Sequence, residues 1–164
     1  MRNKQKGFSL IELLIVVAII LIIAAIAIPN LIRSKMAANE ASAVATLRTL
    51  NTAEVVYSST YNVTNTFAAN LASLGDGGTA GQCTAGFTPV SNSACLIDVA
   101  IEHADTAAKS GYLLTYPAPN TSGYAINNNA SQQGTTGVRH FFTNQTLVIT
   151  QNGSASATAG DSPI

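Results

Sequence analysis

The chain has 164 residues, is formally neutral, and only 10% of its residues are charged; it has room for one modest domain plus an appendage. A neutral balance with no basic cluster excludes an electrostatic nucleic-acid binder, so no nucleic-acid partner is expected. The two cysteines, Cys83 and Cys95, lack the further Cys or nearby His that completes a metal-ligand set, and no metal or other cofactor is expected.

The charge is uneven along the chain. Arg2, Lys4 and Lys6 precede Gly7 with no acid among them, whereas the acids all lie beyond it. From Leu13 to Ile28 every residue is apolar. Counted from Phe8 the run is about twenty residues, and as a helix it spans roughly 30 Å, the thickness of a hydrocarbon core. The basic residues before it keep that end in the cytoplasm and place the remainder outside the inner membrane. Three fates are open on these residues alone. The helix is a signal anchor, or a signal peptide cut after Ala25-Ile26-Ala27, or it is cut at Gly7–Phe8 and stays on the mature protein.

Glu12 interrupts the start of the run. An ionised side chain at bilayer depth costs about 2.5–3.5 kcal/mol on insertion scales. Snorkelling to the interface relieves the cost, but it gives no reason to place a glutamate there.

Gly7 followed by FSLIEL, a long Val/Ile/Ala run and Pro29 resembles the type IV prepilin leader and stem, shared by type IV pilins and the pseudopilins of type II secretion. The resemblance implies cleavage between Gly7 and Phe8 by a prepilin peptidase that also methylates the new amine of Phe8. It implies assembly roles for Phe8, Glu12 and Pro29. Glu12 matches the family's acidic residue, which meets the amino terminus of a neighbouring subunit inside the filament. The implied partners are further copies of the chain in a helical filament, the peptidase/methyltransferase, the pilus or secretion assembly machinery of the inner membrane, and the lipid bilayer before assembly. The implied location is a single pass through the inner membrane, amino terminus in the cytoplasm and head in the periplasm, and then an extracellular filament. In the family the helix continues past the proline. Leu21 stands where many members carry glycine, and it favours helix by up to about 1 kcal/mol.

From Asn30 to Tyr61 the pattern stays helical, with Met36, Ala43, Leu50 and Tyr57 recurring every seven residues and Leu47 and Tyr61 on the same side. Ser42, Thr46 and Arg48 mark the opposite, polar face, and Glu54 falls on the apolar stripe. Phe8 to Tyr61 is therefore expected as one helix of roughly 80 Å. LGDGGTAGQ is a loop signal. In an exported chain an even cysteine count points to a Cys83–Cys95 disulfide, worth roughly 3 kcal/mol; two free buried thiols are the alternative. Leu96 to Gly111 reads as a second helix stopped by Gly111. The runs GYLLTY, GYAIN, VRHFFT and TLVIT read as strands of an antiparallel meander of three or four, with Asn144-Gln145 at a hairpin tip. The tail NGSASATAGDSPI is of low complexity, expected either mobile or laid across a neighbour. The fold class is α+β, a long amino-terminal helix packed against a small antiparallel head, which is the family's ladle. The organisation expected is leader 1–7, membrane or filament-core helix 8–29, amphipathic half 30–61, and head 62–164.

No catalytic residue is expected. His103, beside Glu102 and Asp105, reads as part of a solvated polar helix face. His140, beside Phe141 and Phe142, reads as a strand residue with a satisfied ring. No phosphate loop, nucleophile elbow or zinc-protease motif occurs. The function expected is that of a structural, non-enzymatic filament subunit of a type IV pilus. A secretion pseudopilin is the alternative, although only Asp161 lies beyond Asp105 where major pseudopilins carry a calcium-binding aspartate run. A membrane-anchored periplasmic binding protein that never polymerises is the alternative from another class.

Overall fold

The structure is a computed structural model, and it describes residues 8–61, 66–79, 81–117 and 123–164. The expected leader, including Gly7, lies outside the described residues. The elements run in the order α1 (Leu10–Thr60), α2 (Leu71–Leu74), α3 (Val99–Glu102), β1 (Tyr112–Thr115), β2 (Ala125–Ala130), β3 (His140–Asn144), β4 (Ile149–Asn152) and β5 (Ser162–Pro163). The chain forms two compact units, Met1–Lys35 and Met36–Ile164. The class is α+β.

In the second unit the strands form one antiparallel sheet in chain order, β1-β2-β3-β4-β5. Side chains of a strand alternate between faces, and here one face carries the core. Tyr112 and Leu114 of β1 point inward with Ile126 of β2, Phe141 of β3 and Ile149 of β4, while Leu113 and Thr115 are exposed. These residues share one cluster with Ala43, Leu47, Leu50, Ala53 and Tyr57 of α1. The heptad-like stripe of α1 therefore buries against the sheet, as amphipathicity demands.

Polar residues depart from that stripe. Thr46, expected on the polar face, is buried; its hydroxyl donates to the Ser42 carbonyl at 3.0 Å and accepts from Lys109 Nζ at 3.1 Å. Asn51 is buried too, and its side chain joins Thr143 Oγ1 at 2.9 Å and the Tyr124 hydroxyl at 2.9 Å. Glu54 is completely buried.

The second helix is far shorter than expected. Asp98 caps α3 by accepting from the Ile101 N–H at 2.9 Å, and the helix ends at His103. The reason is tertiary, because the Ala104 carbonyl is taken by the Leu114 N–H of β1 at 2.8 Å. Gly111 is no helix stop: with φ +73° it follows Ser110 at φ +52°, both left-handed, in the turn that opens β1. Glu102 is also not solvated. It is 3% exposed and accepts the backbone N–H groups of Asp76 and Gly78, each at 2.9 Å, so it pins the glycine-rich loop. His103 and Asp105 are exposed. His140 is buried, and its Nδ1 has no partner among the described residues, contrary to the expected satisfied ring.

The four expected strands form, and the turn between β3 and β4 is closed by the Leu147 N–H donating to the Asn144 carbonyl at 2.9 Å. The tail adds a fifth. Asn127, on the outer face of β2, donates to the Ala157 carbonyl at 2.7 Å, and Thr150 of β4 donates to the Thr158 carbonyl at 2.7 Å. Ala157 is 1% exposed, and Asp161 accepts from the Thr158 N–H at 2.7 Å and from Asn152 Nδ2 at 2.8 Å. Ser, Thr and Asn side chains hydrogen-bond the tail to the sheet, so it is laid along its own head rather than free.

Cys83 and Cys95 are joined by a disulfide with Cα atoms 5.7 Å apart, twelve residues apart in sequence. That separation is within the range a relaxed bridge spans.

Candidate assembly site at the amino-terminal helix

The first unit is the opening part of α1. Apolar side chains emerge from it on all sides and stay exposed: Phe8 at 77%, Leu10 at 80%, and the isoleucines, leucines and valines through Ile32 at 46% or more. It is long and apolar enough to cross a membrane, and none of its apolar window is buried within the chain. Exposed apolar surface this continuous marks a protein or membrane contact.

Glu12 is tied to the helix start. The Ser9 carbonyl accepts the Leu13 N–H at 3.3 Å, which makes Ser9 the residue that caps α1. Glu12 Oε2 accepts the Ser9 N–H at 3.0 Å. This is the glutamate half of a capping box, in which the third helical residue reaches back to a backbone donor the helix cannot satisfy. The positive end of the helix dipole favours the carboxylate there. The sequence reading missed the role of Ser9, although Ser9-Leu10-Ile11-Glu12 carries its signature, a serine followed three residues later by glutamate before an apolar run.

Phe8, just before α1, and Glu12, in its first turn, thus both lie at the exposed start of the helix within the first unit. Gly7, the other half of the expected cleavage site, is outside the described residues. Pro29 lies inside α1 and is exposed. Its ring has no N–H, so the Ala25 carbonyl lacks its usual helical donor. The disulfide of Cys83 and Cys95 belongs to the second unit and is separate from this site.

A family model described as the prokaryotic N-terminal methylation motif matches residues 2–28. The chain is 42% identical over 98 residues to the type IV wide pilus major component PilA4 of Thermus thermophilus, a match covering 59% of this chain and 74% of that protein. It is 51% identical over 51 residues to the type IV major pilin protein PilA of Myxococcus xanthus, covering 31% of this chain and 23% of that protein. No solved structure gives a significant match. With three quarters of a pilus major component covered at this identity, and a methylation motif over an exposed apolar helix, the chain is a member of the type IV pilin family.

Proposed function

We propose that this chain is a structural subunit of a type IV pilus filament. A prepilin peptidase cuts between Gly7 and Phe8 and methylates the Phe8 amine. The mature subunit waits in the inner membrane as a single pass with its head in the periplasm, and assembly machinery extracts it into an extracellular helical polymer of the same chain. The work is structural rather than catalytic. The observation that carries this reading is the bare apolar stretch of α1, which needs lipid before assembly and other helices after it. One relative is named a type IV wide pilus major component and the other a type IV major pilin, which favours a pilus over a secretion pseudopilus.

At the tip, the Phe8 amine of one subunit meets Glu12 of another. In the low dielectric of a packed bundle such a pair is stronger than in water, and it offsets the insertion cost of the carboxylate. Pro29, inside the helix and short of one hydrogen bond, is where that bundle tolerates local adjustment.

Mass spectrometry of the amino-terminal peptide, together with micrographs of sheared cell-surface material, tests the reading. The expected results are a methylated terminus at Phe8 and filaments containing the chain. A terminus at Met1 or at Ile28, or a chain found only as dispersed monomers, overturns it.

A further inference from the structure

Glu54 sits on α1 in the core of the second unit, with no exposed surface. Its Oε2 accepts the Ala68 N–H at 3.1 Å, and its Oε1 is hydrogen-bonded to the Tyr116 hydroxyl. The same hydroxyl lies 2.7 Å from the Ala68 carbonyl oxygen. A phenol carries one proton. Were Glu54 a carboxylate, Tyr116 could satisfy only one of its two acceptors. It would turn a lone pair toward the other, and two buried oxygens would face each other with no hydrogen between them. Buried polar groups left without a partner destabilise the fold.

One added proton removes the conflict. The Glu54 carboxylic O–H donates to Tyr116, Tyr116 donates to the Ala68 carbonyl, and the Ala68 N–H donates back to Glu54 Oε2. The cycle closes with every donor and acceptor used. The titratable groups that face Glu54 are the hydroxyls of Tyr57 on α1, of Tyr116 just after β1, and of Tyr124 just before β2, and a negative charge on Glu54 would make all three harder to ionise. No cation is among the groups that shift it. The one ion pair among the described residues is elsewhere, between Arg139 and Glu40. Burial pushes the Glu54 carboxyl above its ordinary value of 4.5, by more than the bonds to Tyr116 and Ala68 bring it down.

We propose that Glu54 is a neutral carboxylic acid in the folded head and forms a pH-responsive clasp that fastens the Phe67–Ala68 segment to α1. The clasp does not depend on the filament reading, since all its groups lie in the second unit. Its direction follows from proton counting. The folded state binds a proton that the unfolded state has already lost above the ordinary glutamate value. The clasp is fully effective below that value and is lost as pH rises through the folded value. Across that window the unfolding constant rises about tenfold per pH unit.

The test uses the full chain in detergent micelles. Carbon-13 labelling of the glutamate side chains allows the Glu54 carboxyl to be titrated by NMR, with Glu54→Gln identifying its signal. Glutamine offers a donor for Tyr116 and an acceptor for the Ala68 N–H, so it mimics the neutral acid. The expected result is a Glu54 carboxyl protonated well above pH 4.5, a protection factor at the Ala68 amide (its exchange relative to the intrinsic rate at each pH) that falls as pH rises, and the loss of that fall in Glu54→Gln. A Glu54 carbon that titrates at or below the ordinary glutamate value overturns the proposal, and so does a Glu54→Gln chain with the wild-type pH trend. If Glu54→Gln fails to fold, selective labelling of the wild-type chain still decides.

Discussion

Arg139 and Glu40 tie the segment that enters β3 to α1 across ninety-nine positions of sequence. The guanidinium Nη2 and Nε each lie 2.7 Å from Glu40 Oε2, and the Val138 and Arg139 N–H groups donate to Oε1 at 2.9 and 3.2 Å. Burial alone would raise the Glu40 carboxyl, but these amides and the guanidinium together hold it below its ordinary value. Glu40→Gln keeps the shape and removes the charge. It is expected to lower stability by about 1–3 kcal/mol, a charged hydrogen bond with one half-exposed partner. The urea midpoint of the full chain in detergent measures this.

The same pair sets an acid limit. A carboxyl held low in the folded state contributes stability above its ordinary value and loses it as pH falls through the folded value. In wild type, unfolding by acid is expected to begin as Glu40 takes up its proton, and Glu40→Gln is expected to flatten that limb of the stability curve. An unchanged acid limb in Glu40→Gln would show that other carboxylates carry it. Glu54, held protonated, contributes the opposite slope, so stability is expected to peak between the two.

Glu12 caps the helix start, and two substitutions part that role from the proposed contact with a neighbouring subunit. Glutamine satisfies a capping box as glutamate does, whereas alanine does not. Glu12→Gln is expected to insert in the membrane and keep the helix start, yet yield about tenfold less sheared filament, since about 1.4 kcal/mol lost per contact already gives that factor. Glu12→Ala is expected to do no better. Wild-type polymer from Glu12→Gln would confine Glu12 to capping.

The disulfide closes a short loop beside the buried Glu102. The double substitution Cys83→Ser, Cys95→Ser is expected to cost about 3 kcal/mol of head stability. Thermal unfolding followed by circular dichroism should place the doubly substituted chain and reduced wild type together, both below oxidised wild type.

Gly137 is required by a neighbour. A Cβ there would fall 2.0 Å from the hydroxyl of Tyr112, which is 1% exposed and donates to the Arg139 carbonyl at 2.7 Å. Gly137→Ala must displace Tyr112 and is expected to cost about 1–3 kcal/mol as overpacking. At Gly153 a Cβ meets nothing within 4 Å, and Gly153→Ala is expected to stay within about 0.5 kcal/mol of wild type. Urea midpoints compare the two.

What the amino-acid sequence determined alone is whatever depends on near neighbours. The apolar run through Ile28, its continuation past Pro29 into the striped half of α1, and the strand character of GYLLTY follow from side-chain type and the periods of helix and strand. The resemblance carried by GFSLIEL with Pro29 is equally local. Only the tertiary structure decided how the polar residues inside the head are used. Glu54 looked like a flaw in the stripe until Tyr116 and Ala68 were brought to it. Thr46 changed faces because Lys109 reaches it. The helix expected over Leu96–Gly111 gave way because β1 takes the Ala104 carbonyl, and a tail of small residues became ordered because the sheet offers Asn127 and Thr150. Each of these turns on a hydrogen bond between residues far apart in the chain, and a buried polar group declares its role only when its distant partner is in place.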